Sequence, residues 1–270
     1  MTTATAIQKG LADLDFARSL FVRGTECLGS DEIAKTFGVS VAPAPEDIPP
    51  IPFTEEELMR ARELGQFLIL CGPVSMAEMN KVLDNKLCYG KLLYDTDWYQ
   101  GENFYLQEKA DWHWRLVTRE VIPGSAGQNY LQQTRTIAKY LVDKVYVGQE
   151  LPSRYAEAIA ELDWCEDELT ELMKSDWKKA AEQLVTLKLN QRFRETPAQV
   201  LWSVALFKKI NHEYLLPSMY TWTNQRSSGG YLVHVGYADA DGVRVYFYDP
   251  RNSDDCLGVR FSRSALDLES

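Results

Sequence analysis

The apolar positions change period along the chain, and the changes mark out its elements. From Gln128 to Val147, the residues Tyr130, Leu131, Ile137, Tyr140, Leu141 and Val145 recur at helical spacing. Ser153 stands where it would cap a further helix to about Lys174. Asp176 would cap another to about Phe193, and Thr196-Pro197 a fourth to about Glu213, since such side chains accept from the first free amides and proline suits the first turn. After Pro217 the period shortens. Tyr220–Thr223, Tyr231–Tyr237, Gly242–Tyr248 and Leu257–Ser262 are predicted as short strands, separated by Gly, Asp, Asn and Ser.

Ahead of the helical stretch, Thr54-Glu-Glu-Glu57 is a capping box that opens a helix. Gln66–Leu70 is an apolar run that predicts a buried strand, Ser75–Leu83 a short helix, and Trp114–Val121 a strand closed by Pro123-Gly124. The aromatics between residues 88 and 123 suit a core, because large rings dominate cores. A helical pattern around Ile7–Val22 precedes Val41–Phe53, which holds five of the eleven prolines and predicts an extended strap. The expected class is α+β, with an arm and linker over residues 1–52 and one domain over residues 53–270.

Charge narrows the function. The net charge of −10 disfavours a grip on phosphate backbones, so no nucleic acid is expected as partner. No apolar run reaches the roughly 18–20 residues a bilayer span needs. The first twenty residues lack a basic start and an apolar core, so a cytoplasmic location is expected. Five scattered cysteines without a CxxC pair favour neither a disulfide framework nor a zinc site. No motif implies a cofactor. Asp239-Ala-Asp241-Gly242 lacks the first acid and the bidentate Glu of a calcium loop and predicts a tight turn. His113, His212 and His234 are the only histidines, no GxSxG is present, and packing roles are expected for all three. The acids of Asp163–Glu171 predict a solvated helix face.

The tail is compositionally unusual. Lys, Glu, Gln, Met and Trp account for 60 of the 270 residues, yet none occurs from Arg226 to Leu268, where an average stretch would hold about nine or ten. Strands deplete Lys and Glu, but exposed strand faces and turns normally carry some. The stretch is rich instead in Tyr, Asp, Arg, Ser and Gly, the residue types of recognition surfaces. In Val243–Tyr248, alternation sends Val243, Val245 and Phe247 to one face and Arg244, Tyr246 and Tyr248 to the other. Asp249–Cys256 is a polar loop able to extend that outward face. A solvated β-meander with an ordinary turn is the plainer alternative.

Tyr220-Thr-Trp-Thr223, Val235-Gly236, Asp249-Pro250-Arg251-Asn252 and Leu257-Gly258-Val259-Arg260-Phe261 resemble the end of a C-type lectin fold of the formylglycine-generating-enzyme-like kind. The tail resembles more closely the variable region of diversity-generating-retroelement variable proteins. In that family the region is copied from a template rich in AAC and AAT codons, with adenines replaced. Codons ending in C or T cannot encode Lys, Glu, Gln, Met or Trp, the five types missing here.

The match covers about residues 217–263. It implies a C-type-lectin-like fold with a helical insertion and a β-rich C-terminal ligand-binding region, variable over about 235–260. It implies a binder, not an enzyme, whose ligand is a macromolecule, expected to be a protein. The reactive cysteine pair of the formylglycine-generating enzymes has no counterpart; Cys256 stands alone near the tail. Paired sugar-binding motifs are absent as well. The resemblance makes Trp222, Gly236, Val243, Val245, Leu257, Gly258, Val259 and Phe261 structural. Its ligand-binding set is Tyr237, Asp239, Asp241, Arg244, Tyr246, Phe247, Tyr248, Asp249, Arg251, Asn252, Ser253, Asp254, Asp255 and Cys256. Alternation argues against Phe247, which the family pattern admits. An enzyme or an assembly protein on the same fold is the alternative function.

Overall fold

A computed structural model describes residues 11–22, 24–83 and 91–264. Its elements in chain order are α1 (Leu14–Leu20), β1 (Cys27–Leu28), α2 (Ser30–Phe37), α3 (Glu55–Glu63), β2 (Gln66–Cys71), α4 (Met76–Leu83), α5 (Asn103–Leu106) and β3 (His113–Val121). There follow α6 (Tyr130–Tyr140), a π turn at Leu141–Val145, α7 (Ser153–Ser175), α8 (Trp177–Thr186), α9 (Lys188–Phe193) and α10 (Pro197–Asn211). Five strands close the chain: β4 (Tyr220–Arg226), β5 (Leu232–Asp239), β6 (Gly242–Tyr248), β7 (Leu257–Gly258) and β8 (Arg260–Ser264). The protein is mixed α+β.

Local chemistry sets most helix starts. Thr54 Oγ1 accepts from the Glu57 amide at 3.2 Å, and Glu57 Oε2 accepts from the Thr54 amide at 3.0 Å. Thr196 and Gln199 repeat this reciprocal arrangement at α10. Asp176 caps α8 through the Lys179 amide. Ser153 does not cap α7: Pro152 holds the cap position and makes no side-chain bond, so Ser153 is the first helical residue. The helix expected from Asp176 to Phe193 is two, because Leu187 turns extended (ψ 133°) between α8 and α9.

The strands form two four-stranded sheets, ordered β1-β2-β3-β8 and β6-β5-β4-β7. β1 runs parallel to β2, and β2, β3 and β8 pair antiparallel. β5 lies antiparallel between β4 and β6, while β7 joins β4 in parallel. The chain leaves the second sheet at Gly258 and enters the first at Arg260, so Val259 alone spans the crossing. α10 packs between the sheets and is buried around almost its whole circumference from Pro197 to Phe207. Its Trp202 Nε1 donates to the Leu70 carbonyl of β2 at 3.0 Å, and the Trp202 ring stacks on Phe37 at 4.3 Å.

The stretch expected as a peripheral arm is instead integral, as far as it is described. β1 adds a strand to the first sheet, and Phe21, Leu28, Ile33, Phe37 and Ile51 are core residues. The proline-rich strap is anchored through the Pro49 carbonyl, which accepts from Trp114 Nε1 at 2.9 Å. The first ten residues of the expected arm lie outside the described residues. The aromatics Trp98, Tyr99, Phe104, Tyr105 and Trp114 pack in or against the core, as expected, and Tyr94 is exposed. Buried arginines tie β8 down: Arg260 lies 3.5 Å from Glu195, both enclosed, and donates to the Thr118 carbonyl.

Candidate ligand-binding surface

The second sheet is open along one side of its edge strand β6 and at the end of β5. Register places Trp222 opposite His234, His234 opposite Tyr246, and Gly236 opposite Arg244. Since side chains alternate, Tyr220, Trp222, His234, Arg244, Tyr246 and Tyr248 come to one side. His234 is buried there among rings, with centroids 5.0 Å from Tyr220, 5.1 Å from Trp222 and 4.9 Å from Tyr248. Burial pushes its imidazole down to about 3, so it is neutral at physiological pH. Tyr246 and Tyr248 stand above it, 37% and 40% exposed. The face thus has a buried floor and an open tyrosine layer.

A bulge shapes one end. Tyr237 adopts φ 49°, in the left-handed region, where β5 shifts register between Gly236 and Asp239. Its amide donates to the Met219 carbonyl at 2.8 Å. A Cβ at Gly236 would sit 2.2 Å from that same carbonyl oxygen, so the close approach needs glycine. The bulge turns Tyr237 outward, where its ring stacks on Tyr220 at 5.4 Å. Arg244 Nη1 donates to the Tyr237 carbonyl and to Asp239 Oδ2, both at 2.7 Å, and the guanidinium lies 4.6 Å from the Tyr94 ring. That ion pair holds the Asp239 carboxyl below its ordinary value. Asp239 Oδ1 also accepts from the Asp241 amide at 2.9 Å, closing the tight turn.

Residues 249–256 form an ordered loop. The Pro250 carbonyl accepts from the Tyr130 amide at 3.2 Å, the Asp254 carbonyl from the Gly127 amide at 2.9 Å, and the Cys256 carbonyl from the Tyr220 amide at 2.7 Å. Asp249 accepts from the Arg251 amide and guanidinium, and Asp254 Oδ1 accepts from the Cys256 amide at 2.9 Å. The backbone is tied to α6 and β4 while the side chains of residues 251–255 are exposed.

None of the fourteen expected ligand-binding residues is buried. Tyr237, Asp241, Tyr246, Tyr248 and Arg251 to Asp255 are exposed, and Asp239, Arg244, Phe247, Asp249 and Cys256 are half-buried. All eight residues expected to be structural are buried. Phe247 does not join the others. It lies on the opposite side of β6, its ring 4.6 Å from Trp98 and 4.8 Å from Tyr231, as alternation requires. Tyr220 and Tyr94 belong to the surface and escaped the sequence reading. Tyr94 comes from a distant segment that pairs with β6 through Leu93 and Val243, which no local pattern announces.

The Cys256 thiol is pushed up to about 11, by burial first and then by Asp254. Nucleophilic cysteines need the opposite shift. Searches found no matching family model, curated protein or solved structure for this chain.

Proposed function

We propose that this chain is a non-enzymatic binder whose C-terminal surface is diversified by a retroelement and recognises a macromolecule, a protein by preference. The observation that supports it is the coincidence of two maps. The stretch lacking Lys, Glu, Gln, Met and Trp supplies the outward residues of β6, the bulge of β5 and the tethered loop, while the residues expected to stay constant are the buried ones beneath. A scaffold that holds backbone through carbonyls and glycine tolerates side-chain exchange at the surface. The C-type-lectin-like fold is part of the same proposal and rests on the resemblance of residues 217–263.

The surface favours a broad partner. It spans two strands and a loop, at about 3.3 Å per strand residue. Tyrosines and arginine make anchors of the hot-spot type. The carboxylates lie on an open rim, where they stay hydrated and steer a basic partner. The test is a protein-array or pull-down screen with the wild type and a Tyr246→Ala/Tyr248→Ala double variant. Capture by the wild type alone supports the proposal. Retention of only a small metabolite, or a turnover abolished at Cys256 or His234, overturns it. Sequencing the surrounding DNA tests diversification separately: a near-copy of the codons for residues 235–260 is expected, with adenines where the two differ.

A further inference from the structure

A cavity of about 220 Å³ lies away from the tyrosine face, among the first turn of α3, the end of the π turn, the start of α7 and β8. π turns recur at functional sites. Here Arg60 of α3 holds this one by donating Nε and Nη2 to the Lys144 carbonyl.

Three arginines line the cavity, and their partners differ. Arg60 is matched by Glu63 at 2.8 Å. Arg263 donates Nη1 to Glu57 Oε1 at 2.8 Å and to the Tyr146 hydroxyl at 3.2 Å. Its side chain is 1% exposed, yet among the described residues its Nε has no hydrogen-bond partner. Arg154 stacks on Tyr155, 4.4 Å from the ring centroid, and among the described residues donates only to that hydroxyl. Among the described residues no carboxylate pairs with Arg154, and its Nε is also buried without a partner. Two guanidinium groups with enclosed, unpartnered Nε atoms thus border one cavity, although buried N–H groups normally find partners.

The charges limit what could fill it. Glu57 already has both oxygens engaged, by Thr54 and by Arg263. Glu56 adds one carboxylate to the lining, accepting from Gln149 Nε2 at 2.7 Å. With Arg60 and Arg263 matched by Glu63 and Glu57, and Arg154 set against Glu56, the lining carries no net charge, which disfavours a dianion more than a monoanion. A planar guanidinium fork matches a carboxylate. We propose that this cavity binds a small carboxylic acid as its carboxylate, with Arg154 and Arg263 donating to the two oxygens.

The test titrates the full chain with acetate and benzoate by calorimetry and thermal unfolding, against sodium chloride of matched ionic strength and against inorganic phosphate. Saturable carboxylate binding is expected, with phosphate no better than chloride. Arg154→Gln is expected to weaken binding at least about tenfold, the scale of one charge-assisted hydrogen bond. Glu56→Gln is expected to tighten binding, since it removes a like charge from the lining while its side-chain oxygen can still accept from Gln149. Absence of saturation, an unchanged affinity in either variant, or phosphate binding more tightly than the carboxylates would overturn the assignment.

Discussion

The two sheets are built from strands of similar length and treated in opposite ways. In β2 every residue from Gln66 to Cys71 is buried, and in β8 every residue from Arg260 to Ser264. In β6, Val243 and Val245 are buried while Tyr246 and Tyr248 are exposed. The first sheet is covered on both faces; the second packs Val233, Val235, Val243 and Val245 on one core cluster and Trp222 and Leu232 on another, and leaves only one side of its edge strand β6 to solvent. The lesson concerns freedom. A strand covered on both sides has no position whose side chain can change without altering a packed neighbour. A strand covered on one side offers every second position.

The largest effects should break along that line. Phe67→Ala in β2 and Trp222→Ala beneath the open face should each cost about 3–5 kcal/mol, because both rings are fully buried. Glu195→Gln should cost a similar ~3–5 kcal/mol by leaving the enclosed Arg260 without its carboxylate. Urea denaturation checks all three. If Trp222→Ala proved as mild as a surface change, the floor of the second sheet would not be core and the contrast would fail.

Each sheet also carries one buried histidine, and both make stability depend on pH in the same sense. Burial pushes His113 of β3 down to about 4 and His234 of β5 to about 3, from 6.5. The unfolded chain binds protons at both first, so each histidine withdraws stability as pH falls below about 6.5, at up to about 1.4 kcal/mol per pH unit. Glu108 acts in the reverse sense. Among the described residues its Oε2 is enclosed without a partner, and burial raises the carboxyl from 4.5 to about 7, so the folded state holds its proton more tightly. It returns stability as pH falls from about 7 to 4.5. Two losses and one gain leave a net decline between pH 6.5 and 4.5. His234→Gln should flatten that decline, and Glu108→Gln should steepen it by a like amount. Denaturation midpoints at three pH values in this window check both signs.

What was legible in the residues follows from how local the cause is. The caps at Thr54, Asp176 and Thr196 are short-range chemistry and stand where expected. The outward face of β6 follows from alternation over seven residues, and alternation also rejects Phe247 from it. β1 has two residues, too few to show any period, so its role in the first sheet could not be seen. The strap's prolines signal extension but not that Ile51 and Phe53 anchor it. The break at Leu187 carries neither proline nor glycine. Tyr94 reaches the surface by pairing across about 150 residues, a contact that only the assembled fold makes.

The smallest effects should divide the loop itself. Asn252 and Ser253 are exposed, and among the described residues no side-chain hydrogen bond fixes them. Substituting either by Ala should change stability within about ±0.5 kcal/mol. Asp254 is equally exposed, but its Oδ1 accepts from the Cys256 amide at 2.9 Å, next to the carbonyl that receives the Tyr220 amide. That bond is a local Asx turn, of the kind that replaces a backbone turn. Hydrogen bonding to Cys256 also keeps its carboxyl below the ordinary value. Asp254→Ala should therefore cost about 1 kcal/mol, near the usual net worth of one hydrogen bond. Asp254→Asn should recover most of it, since the amide oxygen can accept the same proton. A loop in which Asn252, Ser253 and Asp254 all behave alike would mean that its backbone is held by the carbonyl tethers alone. The division between supporting and free side chains would then lie entirely below the loop.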